Sequence, residues 1–97
     1  MTSEIEETMK RLTSHQGVQS IVIMNNEGVP IRTVPAMESK DSVLYPALLL
    51  PLIDQARGII KSLDPTNDYQ NMRIRSKKNE ILIYPEKDYS LVVVQAA

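Results

Sequence analysis

The chain has 97 residues, a formal net charge of −1 and no cysteine. That length suits one domain, residues 1–97. The missing thiols exclude disulfides, thiolate catalysis and cysteine-bound zinc, and the near-neutral balance gives no global pull toward nucleic acid or an anionic membrane.

The first residues, MTSEIEETMK, are polar and acidic, unlike a signal or transit peptide. Ser3 and Glu6 have the spacing of a capping box. Ile5, Met9 and Leu12 then recur at helical period, with Glu6–Lys10 and Glu7–Arg11 as favourable i,i+4 pairs. Gly17 is the natural stop. The expected first helix is amphipathic, with one narrow apolar stripe that covers a single surface.

Val18 to Met24 is rich in β-branched residues and reads as a strand. Asn25 to Gly28 is turn chemistry, since Asn and Gly tolerate positive φ. Val29 to Val34 follows as a second strand, placed at an edge by Pro30. Residues 35–41 read as a polar connection.

Tyr45–Lys61, YPALLLPLIDQARGIIK, has the apolar period of a helix but contains Pro46 and Pro51. With Asp41 or Ser42 as N-cap, Pro46 would fall at the end of the first turn, where little hydrogen bonding is lost. Pro51 is interior. It deprives the Ala47 carbonyl of its partner, and a bend near Ala47–Pro51 is expected within one helix. Tyr45, Leu49, Leu52, Ala56, Ile59/Ile60 and Leu63 form one stripe, with Leu48, Leu50 and Ile53 off it. A helix apolar nearly all round is buried on more than one side. A small sheet covers one side, so the other calls for a second chain, and a two-fold dimer is the default.

Asp64–Asp68 ends that helix. From Tyr69 to Ser76 the pattern alternates, with Met72 and Ile74 on one face and Arg73 and Arg75 on the other. Lys77–Asn79 is a tight turn. Ile81–Tyr84 and Tyr89–Val94 are apolar on both faces, as in strands covered on both sides. The order α-β-β-α-β-β-β with short hairpins predicts an α+β fold: a five-stranded, mainly antiparallel sheet with helices on both faces.

Chemistry is sparse. His15 is the lone histidine and has no partners for acid–base or metal work. Asp64, Asn67 and Asp68 do not match the alternating ligands of a calcium loop. The three glycines form no phosphate loop, and no nucleophile elbow is present. No apolar run approaches the roughly 20 residues of a membrane span. The expectation is a soluble, cytosolic protein that is not an enzyme and carries no cofactor or metal. Arg73, Arg75, Lys77 and Lys78 form the one functional-looking charge cluster. It reads as a solvated, aggregation-resistant edge, or as a docking face for an acidic partner through Arg75, Lys77 and Lys78. Without Phe or Trp to stack on bases it does not suggest a nucleic-acid site.

The runs EETMKRL (6–12), GVQSIVIMNNEGVPIR (17–32), LDPTND (63–68), RIRSKKNEILIYPEKDY (73–89) and VVVQ (92–95) closely resemble the roadblock family of dynein light chains. The resemblance covers nearly all of the chain except about 33–55. It implies a roadblock/longin-like fold and a dimer formed by the second helix and third strand, joining two sheets into one. Carried onto this sequence, the interface would be Tyr45, Leu48, Leu49, Leu52, Ile53 and Ala56 with Arg73 and Ile74. The implied function is a non-catalytic dynein light chain, a dimeric adaptor that binds the dynein intermediate chain in microtubule-based transport. Its setting would be the cytoplasm and cytoskeleton, extending to the axoneme of a cilium. Related roadblock domains scaffold or regulate small GTPases, which is the alternative. Homodimer and heterodimer with a paralogue both remain open. The two prolines depart from the family pattern and lie in the implied dimer helix.

Overall fold

In the computed structural model the described residues are 2–15, 17–34 and 39–97; side chains at 2, 3, 5, 13 and 39–42 lie outside the description. The elements are α1 (Thr2–Thr13), β1 (Val18–Asn25), β2 (Pro30–Val34), α2 (Ser39–Leu63), β3 (Met72–Arg75), β4 (Asn79–Pro85) and β5 (Tyr89–Ala96). The strands form one sheet in the order β2-β1-β5-β4-β3, antiparallel at every step.

Sequence decides which strands are central. β1 and β5 carry consecutive apolar residues, and Ile21–Met24 and Leu91–Val94 are buried on both faces. Alternation divides them between two clusters. Val22, Met24, Ile83, Val92 and Val94 pack with Leu49, Ile53 and Tyr69 on the α2 side. Ile21, Ile23, Leu91 and Val93 pack with Met9 on the α1 side. Pro30 begins β2 at the sheet edge, where its missing N–H costs no central hydrogen bond.

The β1–β2 turn is built as its residues require. Gly28 has φ +81°, and the Asn25 side-chain oxygen accepts from the amides of Glu27 and Val29, both at 2.9 Å. Gly17 has φ +91°, the left-handed geometry that ends α1 and starts β1. Glu6 bridges to Arg32 of β2, tying the helix to the edge strand. Ser3 lies inside α1, which begins at Thr2, so it does not precede the helix as a cap; its side chain and that of Ile5 lie outside the described residues.

Several expectations change. Residues 35–38 of the polar connection lie outside the described residues, but 39–41 join α2, because nothing in Ser-Lys-Asp-Ser interrupts a helix. Asp41 and Ser42 are therefore inside α2, not at its cap. Pro46 becomes the eighth residue of the helix, too deep for first-turn tolerance. Both prolines lie in one unbroken helix, so any bend stays within it. Pro46 is fully buried, whereas Pro51 is exposed. β3 is shorter than expected: it begins at Met72, and Tyr69 is instead a core residue on the α2 side. Arg57 lies 5.1 Å from its ring centre and 3.5 Å from Asp68.

Val43–Leu63 is long and apolar enough to cross a membrane by length and composition alone, against the expectation that no segment is. Its packing explains the composition. Pro46, Leu49 and Ile53 are buried against the domain's own sheet, and Asp54, Arg57 and Lys61 are charged positions in the same stretch. One face of the helix is seated in the core, and most of the rest, including a second apolar flank, is exposed.

Candidate docking surfaces

That second flank is the first candidate site. At 100° per residue, Pro46, Leu49, Ile53 and Ile60 point to the sheet. Tyr45, Leu48, Leu52, Ala56, Ile59 and Leu63 recur at steps of three and four along the adjacent flank. Leu48 is 65% exposed, Leu52 39%, Ile59 55% and Leu63 83%; Tyr45 and Ala56 are half-buried. Leucine and isoleucine left in water along four turns form a contiguous apolar stripe, which a monomeric domain seldom leaves uncovered.

Of the residues expected at a dimer interface, Leu48, Leu52, Tyr45 and Ala56 lie on this stripe. Leu49 and Ile53 do not. They are 6% and 2% exposed and belong to the protomer's own core, because they lie 60–100° round the helix toward the sheet. Ile59 and Leu63 extend the stripe. β3 is one of the two edges of the sheet, and its Ile74 is half-buried on the α2 side. Arg73 lies on the other side, since it pairs with Leu82 in the register and Leu82 packs with the α1-side cluster.

Arg73 forms an ion pair with Glu80. The carboxylate is nearly buried, with a side chain 8% exposed, whereas the guanidinium is 64% exposed. The arginine neutralises a charge that the sheet hides. Arg75 is exposed on the same face, opposite Glu80, and makes no ion pair among the described residues. Lys77 and Lys78 are exposed in the β3–β4 turn, which is closed by Ser76 and Asn79 through a 2.8 Å amide-to-carbonyl bond and a 3.1 Å amide-to-hydroxyl bond.

The α1 side of the sheet is only partly covered. β4 was expected to be covered on both faces, but α1 rests on β1 and β5 and does not reach it. Tyr84 is consequently 39% exposed. Between α1 and β4 runs a trough of about 420 Å³, floored by Leu82, Leu91 and Val93 and walled by Arg11, Leu12 and His15. It continues toward Glu4, Glu7 and Tyr89. The sequence signal for this gap was the length of α1, a single three-turn helix beside a five-stranded sheet.

Nothing in the described residues assembles for catalysis. No group of three His, Cys, Asp or Glu is placed to hold a metal, and His15 is exposed. Asp64 works as a turn residue: its carboxylate accepts from the Thr66 hydroxyl at 2.8 Å and the Thr66 amide at 3.0 Å, and these bonds hold its pKa below the usual value. Burial raises the Tyr69 phenol above its ordinary value, with Arg57 pulling the other way.

The arrangement of two helices on opposite faces of a five-stranded antiparallel sheet in the order β2-β1-β5-β4-β3 has a family match. The Roadblock/LC7 domain family model matches residues 4–96. This chain is a Roadblock/LC7 domain. Its fold superimposes on the crystal structure of a Roadblock/LC7 domain from Streptomyces avermitilis with a TM-score of 0.74 at 12% identity, covering 82% of this chain and 67% of that one. Myxococcus xanthus MglB matches at 0.75 and 17%, covering 89% and 70%. An MglB with tetrameric arrangement matches at 0.79 and 11%, covering 97% and 71%. At these identities the likeness shows a shared fold. The Roadblock/LC7 domain here carries two prolines on α2, one inside its core and one in solvent.

Proposed function

We propose that this Roadblock/LC7 domain is a non-catalytic adaptor that pairs through α2 and the β3 edge and presents the paired sheet to a partner protein. The exposed stripe of Leu48, Leu52, Ile59 and Leu63 carries this reading, because its burial needs a second chain. The tetrameric arrangement of a similar fold supports self-assembly.

Two partner classes follow from different observations. The MglB folds it matches favour the wider roadblock group, in which the family resemblance implies scaffolding or regulation of a small GTPase. The run RIRSKKNEILIYPEKDY favours the light-chain branch, with the dynein intermediate chain as partner and the cytoplasm and cytoskeleton as setting. A paired domain offers two copies of either site, which raises avidity without new contacts.

Leu48→Asp tests the pairing. Full burial of a leucine is worth about 1.5–3 kcal/mol. Two copies each burying the remaining 65% give roughly 2–4 kcal/mol per dimer, or a 30- to 700-fold weaker dimer. Val29→Asp, on the β1–β2 hairpin that meets α2 at Leu50 and not at the stripe, with Val29 52% exposed, should leave the dimer unchanged. Sedimentation equilibrium that finds equal association for both variants overturns the assignment. Binding to an intermediate-chain segment, set against nucleotide-dependent binding of a small GTPase, separates the two partners.

A further inference from the structure

We propose that two ion pairs, each joining Lys78 of one copy to the partner's Asp68, fix the register in which two copies of this chain meet and select a second copy as the partner. The inference rests on the pairing through α2 and β3 proposed above and adds to it the position of the two-fold axis and the residues that choose the partner.

The geometry of the edge leaves few registers. For two α2 stripes to meet, both helices must lie on one face of the joined sheet. The two-fold axis then stands upright on that sheet and the two β3 strands run antiparallel. Residues opposite each other across the joint share a face. Met72 and Ile74 are on the α2 face, and Arg73 and Arg75 on the α1 face. The axis therefore passes through a residue of β3, not between two.

Apolar contact and charge choose among the four residues of the strand. An axis at Ile74 sets Arg73 against the partner's Arg75 in both directions. An axis at Arg75 sets that arginine against its own copy and Arg73 against the partner's Lys77. Like charges directly opposite are destabilising. An axis at Met72 leaves Ile74 opposite the partner's Gln70, a polar residue. An axis at Arg73 pairs Met72 with the partner's Ile74 in both directions, beneath the α2 stripes. Its one like-charge contact is between two copies of Arg73, and each of these is already tied to its own Glu80.

Counted outward from Arg73, Lys78 stands as far along the chain on one side as Asp68 does on the other. That register therefore brings Lys78 opposite the partner's Asp68, twice per dimer. Both residues are exposed. Lys78 makes no ion pair among the described residues, and Asp68 meets Arg57 at 3.5 Å with 54% of its side chain still exposed. Because each copy carries both charges, the surface is complementary to itself. A chain with the opposite sign at either position meets repulsion there.

The test is charge reversal in the full chain, read by sedimentation equilibrium. Lys78→Glu and Asp68→Lys should each weaken self-association about tenfold, as two exposed contacts turn from attraction to repulsion. An equimolar mixture of the two variants should associate nearly as tightly as the parent, because both contacts of the mixed pair again join opposite charges. Damage to protomer folding is not rescued by mixing. The absence of cysteine allows the register to be trapped directly. Opposed Cα atoms in an antiparallel pair lie about 4.5–5.5 Å apart, within disulfide reach. Mixed Met72→Cys and Ile74→Cys chains should cross-link on mild oxidation, whereas Ile74→Cys alone should not. If Leu48→Asp weakens association while both charge variants match the parent, or if Ile74→Cys links to its own copy, this inference falls and the pairing stands. A parent chain that stays monomeric overturns both.

Discussion

Replacing each α2 proline by alanine should give two different answers from the same chemical change. Within a helix proline is about 3 kcal/mol less favourable than alanine, through the lost N–H and the clash with the preceding turn. Pro51 is the thirteenth residue of α2 and is exposed, so its ring contributes little packing. Pro51→Ala restores the amide that the Ala47 carbonyl lacks. The freer unfolded chain of the variant returns about 0.4–1 kcal/mol of that gain. The net is roughly 2 kcal/mol of added stability, or about 8–16 °C in Tm for a domain of this size. Pro46 is equally deep in helical terms but fully buried. Pro46→Ala makes the same backbone gain and loses about two methylene equivalents of burial, near 0.8 kcal/mol each, plus the cavity left behind. Those terms nearly cancel, leaving the variant within about 1 kcal/mol of the parent. The assay is thermal melting followed by far-ultraviolet circular dichroism at two protein concentrations, which separates protomer stability from pairing. A Pro51→Ala protein that melts at or below the parent temperature at both concentrations refutes the reasoning. It would show that the Pro51 ring makes a contact worth as much as the missing hydrogen bond.

Other outcomes follow from the core and the turns. Ile53→Ala should cost about 2–5 kcal/mol, because the side chain is 2% exposed among Val92, Ile83 and Leu49; denaturant titration measures it. Gly28→Ala meets both the left-handed backbone at φ +81° and Leu50, whose Cδ2 would lie 2.9 Å from the new Cβ. It should cost more in the parent than in a Leu50→Ala background, a coupling read from a double-mutant cycle. Tyr69, whose phenol burial holds above its ordinary pKa, stabilises the fold fully below the unfolded-state value near pH 10 and loses that contribution as pH rises through the folded value. Tyr69→Phe should therefore blunt the alkaline loss of stability while changing little at pH 7; an unchanged alkaline limb in pH-dependent melts refutes the link.

The strands were legible because β-branched runs and short Asn/Gly/Asp turns act locally. β1, β2, β4 and β5 fall within two residues of where pattern alone puts them. Tyr69 was misplaced because an alternating pattern does not show where pairing stops: β3 is only four residues long, and Tyr69, three residues before it, turns into the core under α2. Leu49 and Leu52 look equivalent in a helical pattern of apolar residues, yet one is buried and the other exposed. Only the rotation of the helix on its sheet separates core from interface.

By itself the sequence determined the order of the elements, the central place of β5 and the surplus of apolar residues on α2. These follow from period, composition and spacing, which are properties of neighbouring residues. Tertiary structure decided which α2 leucines remain in water and that Pro46 fills the core while Pro51 does not. It also placed Arg73 over the buried Glu80 and showed that α1 leaves β4 open. Each of these depends on how an element is turned and how far it reaches over another, which is fixed only when the layers pack.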